Sequence, residues 1–277
     1  MTNFFKLLRF ELDRFFKLYI VLIVVTIVSQ LAGLVIISKL YMRRAREEIV
    51  VNQNSMESFL ETYGQFSLAN LIHSLCFVCT IALCIVSLLI YVFFIWYRDW
   101  FGKNTFIYRL LMLPTERLNV YLAKAMTIFT MVLGLVSLQI VLIYLEMNLV
   151  RLLVPRDFRL DLPIQGVIHS FDYFNILIPN SFLGFLISYG TGLMALFVLF
   201  TAILIERSYR LKGVFIGGLY VAASFFVFIS PLILSEIFLP RFFYPTEMIL
   251  LEVFAGLIVM AGAIWLGHYL LNKKIRV

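Results

Sequence analysis

Six stretches of this 277-residue chain run for twenty or more residues without one Asp, Glu, Lys or Arg. They are Leu18–Ile37, Phe77–Trp96, Ala125–Tyr144, Ser181–Ile205, Gly213–Ser235 and Val253–Asn272. A helix rises 1.5 Å per residue, so about 20 apolar residues cross roughly 30 Å of hydrocarbon. Backbone polar groups must find partners internally there, and unbroken apolar runs are not the alternating strands of a barrel. The sequence therefore predicts an all-α polytopic membrane protein. Its single transmembrane domain over 1–277 has spans at about 18–40, 67–97, 123–148, 178–205, 213–235 and 248–271. Composition agrees: 62% of residues are hydrophobic and 14% charged, where soluble domains carry about 25% charged. That balance excludes a disordered chain, a disulfide scaffold and a nucleic-acid-binding module.

An even number of spans puts both termini on one side, and the bias of basic residues says which. Residues 1–17, 97–124, 206–212 and 273–277 hold fifteen of the 23 Lys and Arg against five acidic residues. The other side holds eight basic and nine acidic residues, leaving Glu146 and Glu252 at span ends. Both termini are expected in the cytoplasm. Much of the formal charge of +7 is thus an orientation signal. Arg43, Arg44 and Arg46 are a local exception, offset by Glu47 and Glu48.

The lead-in is no cleaved signal peptide, because the run after it is too long for a signal core and no small-x-small site follows. Phe4, Phe5, Leu8, Leu12, Phe15 and Phe16 recur at helical spacing, with Lys6, Arg9, Asp13, Arg14 and Lys17 between them. The pattern predicts an amphipathic elbow helix over 1–17, lying in the inner interface. Six of seven Pro fall on the outer half, so irregular or re-entrant backbone is expected there, above all across Pro231–Pro245. Cys76, Cys79 and Cys84 read as reduced packing residues.

Reactive constellations are hard to find in this chain. It has no HExxH, no GxSxG and no metal-spaced Cys/His group. His169, Ser170 and Asp172 are neighbours in sequence, but a triad is assembled in space. Gly102-Lys103 is no phosphate loop, since no Gly stands at the required spacing before it and no Ser or Thr follows the Lys. Lys124 and Glu146 are 22 residues apart, about 33 Å of helix, so Glu146 is expected at the outer headgroups, as is Glu252. Polar groups in mid-span are mild ones: Gln139, Ser188, Tyr189, Thr191 and Ser224. Gly213–Gly217 and Ala263–Gly267 are small-xxx-small pairs that let helices approach closely, more readily within one subunit than between two.

The most informative stretch is 98–122, between the second and third spans. Tyr97-Arg98-Asp99-Trp100-Phe101 forms an interfacial belt. Phe106, Leu110 and Leu113 then fall at i, i+4 and i+7, one apolar side of a short helix that Pro114 stops and Thr115 follows as a cap for the next. Such a helix either lies on the membrane or fills a groove in a soluble partner.

Gly102, Thr105, Leu110-Leu111, Pro114-Thr115, Arg117 and Lys124 stand in an order that resembles the cytoplasmic loop of ABC-2 type transporter permeases. The six spans and the lead-in are similar to that family as well, so the resemblance covers the whole chain. One departure is that the family's Glu-Lys before the Gly-Thr pair is missing; Asp99 is the acidic residue nearby, and Lys103 follows the Gly. The resemblance implies a membrane-spanning subunit of an ABC exporter in the plasma membrane, with no enzyme activity and no cofactor of its own. ATP-Mg would be bound by a separate cytoplasmic ATPase, and a second permease copy or a related permease would complete the pair. Lys103, Asn104, Thr105, Phe106, Arg109, Leu110, Leu113 and Arg117 would form the ATPase-docking coupling helix. A lining of Phe, Met and small residues suits a hydrophobic or amphipathic cargo such as a peptide, toxin, drug or lipid. Membrane lipid is a partner and nucleic acid is not. Two other readings stand beside this one: a non-transporting membrane sensor or regulatory subunit, and an intramembrane enzyme.

Overall fold

The computed structural model describes residues 2–72, 74–101, 106–170, 172–209, 211–238 and 242–275. Helix dominates: α1 (Thr2–Arg46), α2 (Met56–Tyr63), α3 (Leu68–Ile72), α4 (Leu75–Phe101), α5 (Phe106–Leu111) and α6 (Arg117–Leu153) form the first part. They are followed by α7 (Ile164–His169), α8 (Asp172–Leu177), α9 (Phe182–Tyr209), α10 (Leu211–Ile233) and α11 (Pro245–Tyr269). Wider π-helical turns extend α1 over Glu47–Val51, α10 over Leu234–Phe238 and α11 over Leu270–Lys274. Among the described residues no strand forms; Phe66 and Arg159 make an isolated bridge. Six of the helices are long and apolar enough to cross a bilayer, the architecture of a multi-pass membrane protein.

Several boundaries differ from those the sequence predicts, and local chemistry explains them. Residues 2–17 are helical, but they run into the first span without a break, so α1 is one 45-residue element. Neither Gly nor Pro stands near residue 17 to turn the chain there. The second span starts at Leu75, where the Ser74 hydroxyl accepts from the Phe77 N–H (3.4 Å), and residues 68–72 form a separate turn of helix. The fourth starts at Phe182, with the Ser181 hydroxyl accepting from the Gly184 N–H (3.0 Å). Pro245 opens the last span at a position where its missing N–H costs nothing, and Glu247 accepts from the Tyr244 N–H (3.0 Å). Pro231 does not end its helix. It sits inside α10, and the helix loosens into its π turn three residues later. Residues 239–241 of the Pro231–Pro245 stretch lie outside the described residues; among the described residues, short helices alternate with turns in 47–72, 154–170 and 172–181.

The chain divides into two compact units. One comprises Met1–Arg14, Leu89–Thr130 and Ser181–Val277. Here most of the second half of α9 is buried, Met194, Phe197, Phe200, Thr201 and Leu204 among it. The Tyr121 hydroxyl donates to Phe197 O (2.9 Å), and Thr201 donates to Ala263 O (2.9 Å), joining α6, α9 and α11. Both small-residue pairs pack within the chain: a side chain on Gly213 would meet Ile205 O at 2.6 Å, and one on Gly267 the Tyr121 ring at 3.2 Å. Along α10 only Gly213 and Gly217 are buried. Phe215, Leu219, Phe225 and Phe226 on the same helix are exposed.

The other unit comprises Phe15–Leu88 and Met131–Asn180. Its long helices meet through polar pairs in an apolar setting. Gln30 and Gln139 exchange amide hydrogen bonds (3.0 and 3.3 Å), and Ser29 bonds Thr80 (2.7 Å). Cys84 packs beside Thr26 (3.2 Å), whereas Cys76 and Cys79 lie exposed, not packed as expected. Leu34, Phe66, Phe77, Ile143, Val154 and Phe174 belong to one buried cluster under the connections. Phe66 and Phe158 clip those connections together (Phe66 N–H to Phe158 O, 2.8 Å), and the Tyr41 hydroxyl donates to Gly64 O (2.7 Å). Gly64 has φ +70°, the left-handed region that favours glycine where α2 ends.

Candidate functional site

The segment the sequence singles out rests on a buried ionic network. Leu7, Glu11 and Phe15 occupy one buried face of α1 at i, i+4 and i+8, which sets a carboxylate in the middle of an apolar stripe. Asp99 in the last turn of α4 and Lys124, two turns into α6, meet it there. Lys124 and Asp99 are 0% exposed and Glu11 is 2% exposed. The Lys124 ammonium donates to Glu11 Oε1 (2.8 Å), Asp99 Oδ2 (2.5 Å) and Ile95 O (3.0 Å), which uses all three of its N–H bonds. Arg98 donates to Glu11 Oε2 (3.0 Å) and Arg14 to Asp99 Oδ1 (2.9 Å). Each carboxylate oxygen therefore has a cationic donor. The two arginines keep part of their surface accessible, and their planes lie over rings: Arg14 over Phe10 and Phe106, Arg98 over Tyr91 and Phe94.

This arrangement binds helices together and leaves no group in it poised to react. An ammonium with three acceptors has no lone pair to offer, and both carboxylates are saturated. A buried pair is costly to assemble but more costly to halve: losing one partner strands a charge, at about 3–5 kcal/mol. The network accordingly fixes the spacing of the α1 start, the α4 end and the α6 start, the two anchors of the 102–116 segment among them.

The docking residues inferred from the sequence are distributed unevenly over this base. Lys103, Asn104 and Thr105 lie outside the described residues. Phe106 opens α5 and stacks on Phe10 with ring centres 6.0 Å apart. Leu110 is buried together with Ile107 and Leu111. The anticipated ridge of Phe106, Leu110 and Leu113 is thus split: two of its members turn into the protein, and Leu113, beyond the end of α5, is exposed. Arg109, Met112, Leu113 and Pro114 make up the outward surface. Arg117 is engaged elsewhere, its Nη1 donating to Leu271 O (2.6 Å) and Ile275 O (3.1 Å) at the end of the chain. Thr115 does not cap α6 as expected; its hydroxyl is buried without a hydrogen-bond partner among the described residues. The reason is local, since the chain turns around Pro114 with the Thr115 N–H on Leu113 O (2.7 Å) and the next helix starts only at Arg117.

Glu11 escaped the sequence reading because the helix was divided into an apolar and a charged face. In a helix with apolar residues all round, the polar group inside the stripe is the informative one. Glu146, in the same unbroken helix as Lys124, is 0% exposed, with neither carboxylate oxygen hydrogen-bonded among the described residues. Ser38 on α1 is likewise buried with a free hydroxyl. No group of three or more His, Cys, Asp or Glu among the described residues could hold a metal ion. Comparison with family models, curated proteins and solved structures finds no match to this chain in any of the three.

Proposed function

We propose that this chain is the membrane-spanning subunit of an ATP-binding-cassette exporter, with both termini and the 98–122 loop in the cytoplasm of a cell whose plasma membrane it crosses. The observation that carries the reading is the short helix α5, slung between two membrane-length helices whose ends are locked by the Glu11–Asp99–Lys124 network. A force delivered to α5 passes to α4 and α6 through a base that resists deformation. A separate ATPase supplies the work, and it acts only as far as it binds two states of the permease with different affinity. A second permease subunit completes the path, and the cargo is hydrophobic or amphipathic.

The partner-facing residues in this proposal are Arg109, Met112, Leu113 and Pro114, of which Arg109 and Leu113 belong to the set the sequence suggested. The test is photo-cross-linking from position 112 in native membranes, with the captured protein identified by mass spectrometry. The expected product is a soluble ATPase with a phosphate-binding loop. The substitution pair Arg109→Glu with Leu113→Asp should abolish capture while membrane insertion and thermal stability stay unchanged. Capture that survives this pair, or ATP hydrolysis by the purified chain alone, would overturn the proposal.

A further inference from the structure

The arginine cluster that breaks the charge bias has a structural setting that points to a ligand. Arg43, Arg44 and Arg46 form the last turn of α1, followed at once by the π turn Glu47–Val51. The nearby acids are committed. Glu47 pairs with Arg43 (2.9 Å), and Glu48 accepts from the Asn52 and Asn54 amides (3.0 and 2.8 Å). Arg44 and Arg46 have no carboxylate within ion-pair distance among the described residues. Beside this turn lies an open cavity of about 550 Å³ lined by Met42, Arg43, Ala45, Arg46, Ile49 and Phe158. Its walls are mostly aliphatic and aromatic, with Arg43 and Arg46 as the charged residues in the lining.

Depth fixes what such a groove meets. If Leu18–Ile37 crosses the hydrocarbon, Arg43 and Arg46 begin about 9–14 Å beyond its edge. Side chains on a helix lean toward its N-terminus, so both guanidiniums reach back toward the lipid phosphates. Arg binds phosphate through paired N–H bonds and keeps its charge in any surrounding. We infer that this groove holds the headgroup of an anionic phospholipid from the surrounding leaflet, its phosphate on Arg43 and Arg46 and its glycerol and upper acyl segments against Met42, Ile49 and Phe158. The inference does not depend on the transport proposal, because it concerns a different unit and needs no ATPase.

Native mass spectrometry of the purified chain in detergent, with equimolar phosphatidylglycerol and phosphatidylcholine, tests it. Wild type should retain phosphatidylglycerol roughly thirtyfold over phosphatidylcholine, the scale expected of two arginines near an anionic headgroup. Arg43→Gln with Arg46→Gln should bring the ratio to about one, while Arg44→Gln, outside the groove, leaves it unchanged. Melting temperature in phosphatidylcholine alone verifies that the variants are folded. Inorganic phosphate and glycerol phosphate form a second arm. Displacement of the lipid by millimolar phosphate would mean a site for free phosphates, and a ratio near one in wild type, or unaltered in the double variant, would remove the site altogether. Selective retention of an acidic peptide with no lipid preference would also overturn the assignment.

Discussion

Lys124 shows how one residue can carry more structural weight than the motif around it. Its ammonium closes a circuit in which each carboxylate oxygen meets a cationic donor, so truncation takes one such donor from Glu11 and from Asp99 together. Lys124→Ala should lower stability by about 3–5 kcal/mol, read as a large fall in melting temperature in detergent, whereas Arg9→Ala, in an exposed pair with Asp13, should shift it by less than about 1 kcal/mol. Added salt should barely alter the first effect, because buried pairs are poorly screened. Glu146 presents the opposite case, a buried carboxylate without a hydrogen-bond partner among the described residues. Replacing it by Gln or Met should leave stability unchanged or raise it by about 1–3 kcal/mol, read as the melting temperature in detergent. Arg14, Arg98 and Asp99 were visible as charges near a membrane boundary, but their partner Glu11 was not. Pairing depends on which helix faces coincide in space, and periodicity within one helix does not report that.

Helix α5 is legible in the sequence as an element, but the direction its apolar side faces is not. The Phe106/Leu110 periodicity and the Pro114 stop gave a short helix in the right place, yet the same periodicity fits an apolar side turned inward as well as one turned outward. The buried side holds Ile107, Leu110 and Leu111, so Leu110→Asp should destabilise the fold as a whole, while Leu113→Asp should not. Melting temperatures of the two variants separate these roles. Helix α10 makes a similar contrast with glycines. A side chain at Gly213 would collide with the backbone of Ile205 and Glu206, while Gly218 has open space. Gly213→Val should therefore cost several kcal/mol or prevent folding, and Gly218→Ala should be neutral or slightly stabilising. The existence of these helices was readable from hydropathy. Their ends were not, because Ser74, Ser181 and the Pro245 start act within one turn of backbone.

At the scale of the whole chain, the membrane class followed from the arithmetic of six uncharged runs, and the six long apolar helices agree with it. What hydropathy could not supply is the division into two units, one holding both ends of the chain and the other holding the clipped connections. Sidedness is open to direct measurement. With the three native cysteines replaced, a single cysteine at Met112 and one at Asn52, both exposed, should react with a membrane-impermeant maleimide from opposite faces of oriented vesicles. Labelling of both from the same face would remove the assigned orientation and with it the cytoplasmic loop.

Helix α1 takes part in both units, contributing its first turns to one and the rest of its length to the other. From Glu11 to Arg46 it runs 35 residues, about 52 Å of unbroken rod. The buried carboxylate of its first turns and the arginines of its last thus belong to one continuous element.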